Sequence, residues 1–260
     1  MPIKIIKVIR VMFAGGGTGG HIYPLLAVHD YLEKVGEGNI FFSYAGAAGI
    51  FKTELEDRGI RVYNIMSSKV RRYFDLANFL DGPRFFISFF QAFSALYNEM
   101  PDVLFSKGGP SSFPVVMAAR FYGIPVVIHE SDSVPSVSNL MAAKFAKRVI
   151  VSFAETAMAF KRNDTLVFGN PVRQAFAYDF SDTAGSKQYF GFQDEESMLF
   201  VVGGSQGSQC LNNFVLDNLE ALLNRTQVCH QVGLKNFREY ELSAKSALGI
   251  LPENLRKRYI

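Results

Sequence analysis

The run Ala14-Gly15-Gly16-Gly17-Thr18-Gly19-Gly20-His21-Ile22-Tyr23-Pro24 sets what this 260-residue chain can fold into. An apolar stretch, Ile5 to Phe13, leads into it. An amphipathic segment opening at Pro24, with Leu25, Val28, Leu32 and Val35 on one face, leads out. Strand, glycine turn and helix in that order make the first unit of a parallel α/β sheet. Glycines carry no Cβ, so backbone N–H groups approach a ligand closely and take positive φ where a turn demands it. The helix N-terminus behind the turn favours negative charge, so a phosphate or a developing anion is the expected occupant. His21, at the mouth, is not something a plain phosphate cradle requires.

The rest of the chain repeats the theme. Short apolar runs at Ile40–Tyr44, Val62–Met66, Val103–Ser106, Val126–His129, Val149–Ser152, Thr165–Phe168 and Met198–Val202 read as strands. Helix-period segments separate them, such as Pro135–Phe145 with Val137, Met141 and Phe145 on one face. Alternation of this kind predicts a parallel α/β architecture. A boundary is expected between Asn170 and Gly191, where a Gly169-Asn170-Pro171-Val172-Arg173 turn precedes a polar, non-periodic stretch, Asp179 to Gly185. We divide the chain into residues 1–172 and 173–260. The second part restarts with Met198–Val202, the turn Gly203-Gly204-Ser205-Gln206-Gly207-Ser208 and a helix through Leu223. A strand at Thr226–Gln231 and a helix at Asn236–Ala247 follow. About 85 residues give that part only two βα units, against roughly 100–150 for a usual domain, so it is expected to be incomplete. Residues Leu255 to Ile260 are expected to be disordered.

Bulk properties narrow the function. An apolar share of 48% supports one large or two moderate cores, and 20% charged residues argue against disorder. A net charge of +3 suits an acidic substrate or an anionic membrane face and is too small to argue for nucleic acid. Cys210 and Cys229 form neither a disulfide framework nor a metal-ligand pattern, which points to a reduced, cytoplasmic setting. The lysine-interrupted start reads as a strand rather than a signal peptide. Phe85 to Phe93 is far short of the roughly 20 residues needed to span a bilayer, and Asp81-Gly82-Pro83-Arg84 closes it upstream.

Two common uses of a glycine turn fail here. A dinucleotide fingerprint needs an acidic residue at the end of the second strand, but Ile40–Tyr44 ends in Ala45-Gly46-Ala47-Ala48, with Glu33 and Glu37 lying before it. No Gly-Lys-Ser/Thr follows the turn, so it is not a Walker loop.

Four spaced motifs remain: Gly16-Gly17-Thr18-Gly19-Gly20-His21 with Pro24; Ile128-His129-Glu130; Gly169-Asn170-Pro171-Val172-Arg173; and Gly203-Gly204-Ser205-Gln206-Gly207. Taken in order over nearly the whole chain, they resemble the MurG family. These are the N-acetylglucosaminyltransferases that form lipid II in peptidoglycan synthesis. The resemblance implies an α/β fold of glycosyltransferase B type, two Rossmann-like domains facing across a cleft, the second incomplete here. It implies inverting transfer of N-acetylglucosamine from UDP-N-acetylglucosamine to the C4 hydroxyl of undecaprenyl-pyrophosphoryl-N-acetylmuramyl-pentapeptide (lipid I). No metal or other cofactor is implied, since helix N-termini and glycine turns neutralise the diphosphate. The implied partners are the two substrates, the anionic inner leaflet of the cell membrane, and the cell-wall and division machinery.

Site residues follow from the same resemblance. His21 is the candidate general base, a role that a neutral imidazole at a helix N-terminus suits; the alternative is a ring that hydrogen-bonds substrate or caps the turn. Thr18, Gly19, Gly20, Asp132, Arg173, Ser205 and Gln206 match donor-binding positions. Arg173 can instead form a solvated inter-domain salt bridge, and Ser205 and Gln206 can be ordinary turn residues. Gly16, Gly17, Gly108, Gly109, His129 and Glu130 fall on the acceptor side, with His129 equally readable as structural. Asp132 stands where the family has asparagine, and Pro110, in Ser106-Lys107-Gly108-Gly109-Pro110, where tyrosine is usual. Phe85, Phe86 and Phe89, with Arg71, Arg72 and Arg84 on the rim beside Lys69, read either as a membrane-docking patch or as core. Two other functions stay open. One is another lipid-linked or nucleotide-sugar glycosyltransferase of this fold, and the other is an acceptor- and membrane-binding module without catalysis.

Overall fold

The computed structural model describes residues 8–67, 77–162, 164–177, 183–234 and 236–260. They fall into two compact units, Met1–Ala177 and Tyr178–Ile260. The first holds a seven-stranded, wholly parallel sheet of β1 (Ile9–Gly15), β2 (Ile40–Gly46), β3 (Arg61–Asn64), β4 (Val103–Gly108), β5 (Val126–Glu130), β6 (Arg148–Val151) and β7 (Thr165–Val167). Their spatial order is β3-β2-β1-β4-β5-β6-β7. The connections are α1 (Gly19–Gly36), α2 (Lys52–Asp57), α3 (Ala77–Glu99), α4 (Ser112–Phe121), α5 (Val137–Ala142) and α6 (Ala154–Ala159). Strand order reverses between β1 and β4, and a sheet of this kind binds ligands beyond the strand carboxyl ends at such a switch point.

β1 shows why the sequence builds this sheet. Side chains alternate faces along a strand. Met12 and Ala14 therefore pack with Leu104, Ile128 and the helix residues Leu96 and Val116, while Val11 and Phe13 pack with Ile22, Leu25 and Leu26 of α1 and Leu55 of α2. A strand covered on both faces needs a continuous apolar run, which residues 11–14 supply.

Three local expectations are corrected. The first helix starts at Gly19, ahead of Pro24. Thr18 takes an extended conformation (φ −120°, ψ 155°) and ends the turn, so both glycines after it join the helix and Pro24 sits inside it. Val35, placed on the apolar face, is exposed. The Gly82-Pro83 pair does not stop α3, which runs through it. A proline near the start of a helix removes one backbone bond, and the packing of Phe85, Phe89, Ala92 and Leu96 against the core outweighs that loss. Lys69, Arg71 and Arg72 lie outside the described residues.

The second unit pairs β8 (Met198–Val202) in parallel with β9 (Gln227–Gln231). Around them lie α7 (Thr183–Tyr189), α8 (Gln209–Asp217), α9 (Leu219–Leu223), α10 (Phe237–Gly249) and α11 (Glu253–Arg256). α7 occupies part of the stretch read as polar linker, and the helix expected to reach Leu223 breaks at Asn218. The last residues are ordered, not disordered. Leu255 joins the core of Val215, Leu219, Leu223, Val228 and Leu251. Val228 N donates to Arg258 O at 2.7 Å, and His230 N donates to Ile260 O at 2.8 Å, so residues 258–260 run alongside β9.

Candidate active site

The carboxyl ends of β1, β4 and β5 bring Gly16–His21, Lys107–Gly109 and His129–Asp132 to the switch point. At the start of α1, the Thr18 hydroxyl does not cap the helix backbone; its Oγ1 lies 2.8 Å from His21 Nδ1. His21 N and Ile22 N both donate to Thr18 O at 3.0 Å. The N–H groups of Gly19 and Gly20 have no partner among the described residues, the condition in which a helix N-terminus accepts an anion.

Close backbone approach fixes the His21 ring. Gly109 (φ +99°) lies so near the first turn that a Cβ there would sit 2.8 Å from Gly16 N and 3.3 Å from His21 Cε1. A Cβ on Gly16 would sit 2.9 Å from His21 Nδ1, and one on Gly17 2.5 Å from Ala47 O. Only glycine allows the two turns to meet around the imidazole. Below them the Gly15 carbonyl accepts from Tyr44 Oη at 2.8 Å and from Ser111 Oγ at 2.9 Å. Ser112 Oγ donates to Gly109 O at 2.8 Å. Burial, followed by the nearby Lys107 charge, pushes the His21 pKa below its ordinary value against the opposing pull of Asp132 and Glu130. The ring is therefore neutral near pH 7.

His129 and Glu130 are brought to the site, but their polar atoms are turned inward. His129 Nδ1 meets Lys107 Nζ at 2.9 Å and Nε2 meets Gly169 O at 2.9 Å. Burial and the lysine charge drive its pKa down to about 4. Glu130 Oε1 accepts from Asp132 N at 3.0 Å, and Oε2 accepts from Ser136 N at 2.9 Å and Asn139 Nδ2 at 3.0 Å. Glu130 thus braces the loop after β5 and His129 ties β4 to the segment beyond β7, with the polar atoms of both engaged inside the protein. Asp132 is exposed at the tip of that loop, whose carbonyls at Asp132 and Ser133 accept from the buried Thr156 hydroxyl. Gly108 (φ +85°) backs onto Asn139.

Arg173 belongs to the first unit, and its guanidinium lies over the Tyr23 ring at 4.6 Å and near Phe176 at 5.2 Å. That stacking places it two residues from His21 along α1. In the second unit, Ser205 and Gln206 sit in the turn after β8, where Gln206 O accepts from Asn236 Nδ2 at 3.3 Å. The turn packs against Val232–Gly233 so tightly that Gly207 (φ +77°) has no room for a Cβ, and Ser208 caps α8 by accepting from Leu211 N. On α3, Phe86 points outward while Phe85 and Phe89 are half-buried, Phe85 against Phe113 at 5.9 Å. Arg84 is exposed. Among the described residues no helix is long and apolar enough to cross a membrane.

Lys107, Tyr23 and Asn139 join the site only through the fold. The available signal for Lys107 was a cation closing an apolar strand just before paired glycines.

Comparison with known proteins agrees with this geometry. Residues 11–151 match the glycosyltransferase family 28 N-terminal domain, and residues 198–252 match its C-terminal domain. The UDP-N-acetylglucosamine--N-acetylmuramyl-(pentapeptide) pyrophosphoryl-undecaprenol N-acetylglucosamine transferase of Clostridium botulinum (strain Hall) is 37% identical over 231 residues, 88% of this chain and 64% of the relative. The protein of the same name from Clostridium tetani is 34% identical over 87% of this chain and 62% of the relative. The chain thus spans slightly less than two thirds of the length of these relatives. The crystal structure of Acinetobacter baumannii MurG superposes with a TM-score of 0.58 at 25% identity, covering 92% of this chain and 63% of that one. Staphylococcus aureus MnaA, solved with UDP, shares the fold at a TM-score of 0.63 and 13% identity, covering 96% and 68%. The architecture is the α/β, glycosyltransferase B type expected from the motifs, and the chain belongs to glycosyltransferase family 28 and, within it, to the MurG family.

Proposed function

We propose that the chain serves the transfer of N-acetylglucosamine from UDP-N-acetylglucosamine to the C4 hydroxyl of lipid I, giving lipid II. The observation that carries this is His21, held neutral between Gly16 and Gly109 with Nδ1 at Thr18. With Nδ1–H donating to Thr18 Oγ1, Nε2 keeps its lone pair for the acceptor hydroxyl. As the C4 oxygen bonds to the anomeric carbon from the face opposite UDP, its proton passes to Nε2. The bond from the anomeric carbon to the diphosphate breaks, and UDP departs with the electron pair. The free N–H groups of Gly19 and Gly20 offer an anion site at the start of α1, and Arg173 stands beside it for the diphosphate. Ser205 and Gln206 are the donor contacts of the second unit.

The acceptor's lipid tail calls for a docking surface on the inner leaflet. The outward aromatic side of α3 with Arg84, preceded in the sequence by Arg71 and Arg72, is the surface we assign to it. The test is turnover of a soluble lipid I analogue with UDP-N-acetylglucosamine. His21→Ala is expected to lose about 10²–10⁴-fold in rate while still binding the analogue. Undiminished turnover removes His21 as the base. Analogue binding by the unaltered chain without any turnover favours the acceptor-binding module instead, a reading supported by the two-stranded sheet of the second unit.

A further inference from the structure

Lys107, next to last in β4, is only 2% exposed, yet no carboxylate lies within ion-pair range of its ammonium among the described residues. A buried cation without a counter-ion weakens a fold, so its presence needs another explanation. Its one hydrogen-bond partner among the described residues is His129 Nδ1, at 2.9 Å. The His129 ring is 1% exposed, and its other nitrogen lies 2.9 Å from Gly169 O. A carbonyl only accepts, so Nε2 carries the proton and Nδ1 offers its lone pair to the ammonium. The chain of donors therefore runs one way, from Lys107 on β4 through His129 on β5 to Gly169 beyond β7.

The charged and titratable groups around this chain are few. Glu130, on β5, has both carboxylate oxygens engaged by Asp132 N, Ser136 N and Asn139 Nδ2. Asp132 is exposed beyond it. On α1 the group is His21, whose ring abuts Gly109, two residues along from Lys107. Lys107 disfavours a second positive charge on either histidine, whereas Glu130 favours a charge on His21, His129 and Lys107 alike, and Asp132 favours one on His21 and Lys107.

We propose that Lys107 is a positioning residue of the transfer site: its buried charge, two residues before the glycine that abuts the His21 ring, adds to burial in keeping that ring a proton acceptor, while its N–H holds His129 onto Gly169. The proposal rests on reading His21 as the base. Burial draws the Lys107 pKa down to about 8 against the opposing pull of Glu130 and Asp132, which leaves the ammonium largely charged at neutral pH.

Histidine-labelled protein tests it by NMR titration, with the four histidines assigned by single substitution. Lys107→Met removes charge and donor, and Lys107→Gln removes the charge while keeping a donor for His129. We expect the titration midpoints of His21 and His129 to rise in both variants, with Lys107→Met at least as heat-stable as the parent. The acid limb of the pH–rate profile should move up with them while the rate at alkaline pH holds. An unchanged His21 midpoint in either folded variant overturns the proposal. So does failure of both variants to fold, because a cation with an electrostatic role is dispensable to the core. The titrations are read without substrate, so they are independent of the base assignment, which falls separately if His21→Gln keeps full turnover.

Discussion

At the scale of single residues, two glycines of the site do opposite work. Gly109 has φ +99° and faces Gly16 N across a gap that a Cβ would close to 2.8 Å. Gly20 is helical, and a Cβ there meets nothing within 4 Å. Gly109→Ala is expected to cost about 1–3 kcal/mol from backbone strain alone, read as a lower unfolding temperature. Gly20→Ala should be neutral or stabilising by up to about 1 kcal/mol, since alanine is the better helix former. The methyl would nonetheless crowd the open N–H groups of α1, so binding of UDP-N-acetylglucosamine or a lipid I analogue should weaken in a protein of undiminished stability. Unweakened binding in Gly20→Ala takes the α1 terminus out of the site. The glycines were readable because a missing Cβ is a property of the sequence itself. Lys107 and Tyr23 were not, because their roles exist only once β4 lies beside β5 and the turn at Arg173 folds back over α1. His129 and Glu130 were placed at the right edge of the sheet, but which way their polar atoms turn depends on Gly169 and Asn139, distant in sequence.

At the scale of the element, α3 separates two readings that composition merges. Successive residues on a helix are about 100° apart, so neighbouring phenylalanines serve different surroundings. Phe86 and Phe90 are 63% and 66% exposed, whereas Phe85 and Phe89 pack toward the core beside Phe113 and Phe93. Replacing Phe85 and Phe89 therefore tests stability, not docking. Phe86→Ser with Phe90→Ser should abolish co-sedimentation with anionic vesicles and leave the unfolding temperature in place. Phe85→Ser should lower that temperature by the equivalent of about 2–4 kcal/mol. Retained vesicle binding in the outward double variant would falsify docking through α3. The aromatic run was plain in the sequence. The continuation of the helix through Pro83 was not, because tertiary packing of Ala92 and Leu96 decided it.

At the scale of the molecule, the two units differ in how far their sheets are covered. Alternating apolar runs and helical segments were enough to predict the first sheet, since every strand buried on both faces announces itself. Seven strands with helices on both faces form a self-sufficient core, whereas β8 and β9 make a pair whose Leu199, Phe200 and Val202 stay exposed. An isolated two-stranded sheet is marginal in water. Residues 1–177 expressed alone should thus unfold in one cooperative transition, and residues 178–260 alone should show none. Acid sensitivity of the first unit follows from His129. Its folded pKa of about 4 lies below the unfolded 6.5, so between those values the unfolded chain binds the extra proton and folding loses ground as pH falls. The stability of residues 1–177 should hold above pH 6.5 and decline toward pH 4, and His129→Gln should flatten that decline. A decline unchanged in His129→Gln would mean that the ring is not held neutral, and with it the one-way chain from Lys107 to Gly169 would lose its support.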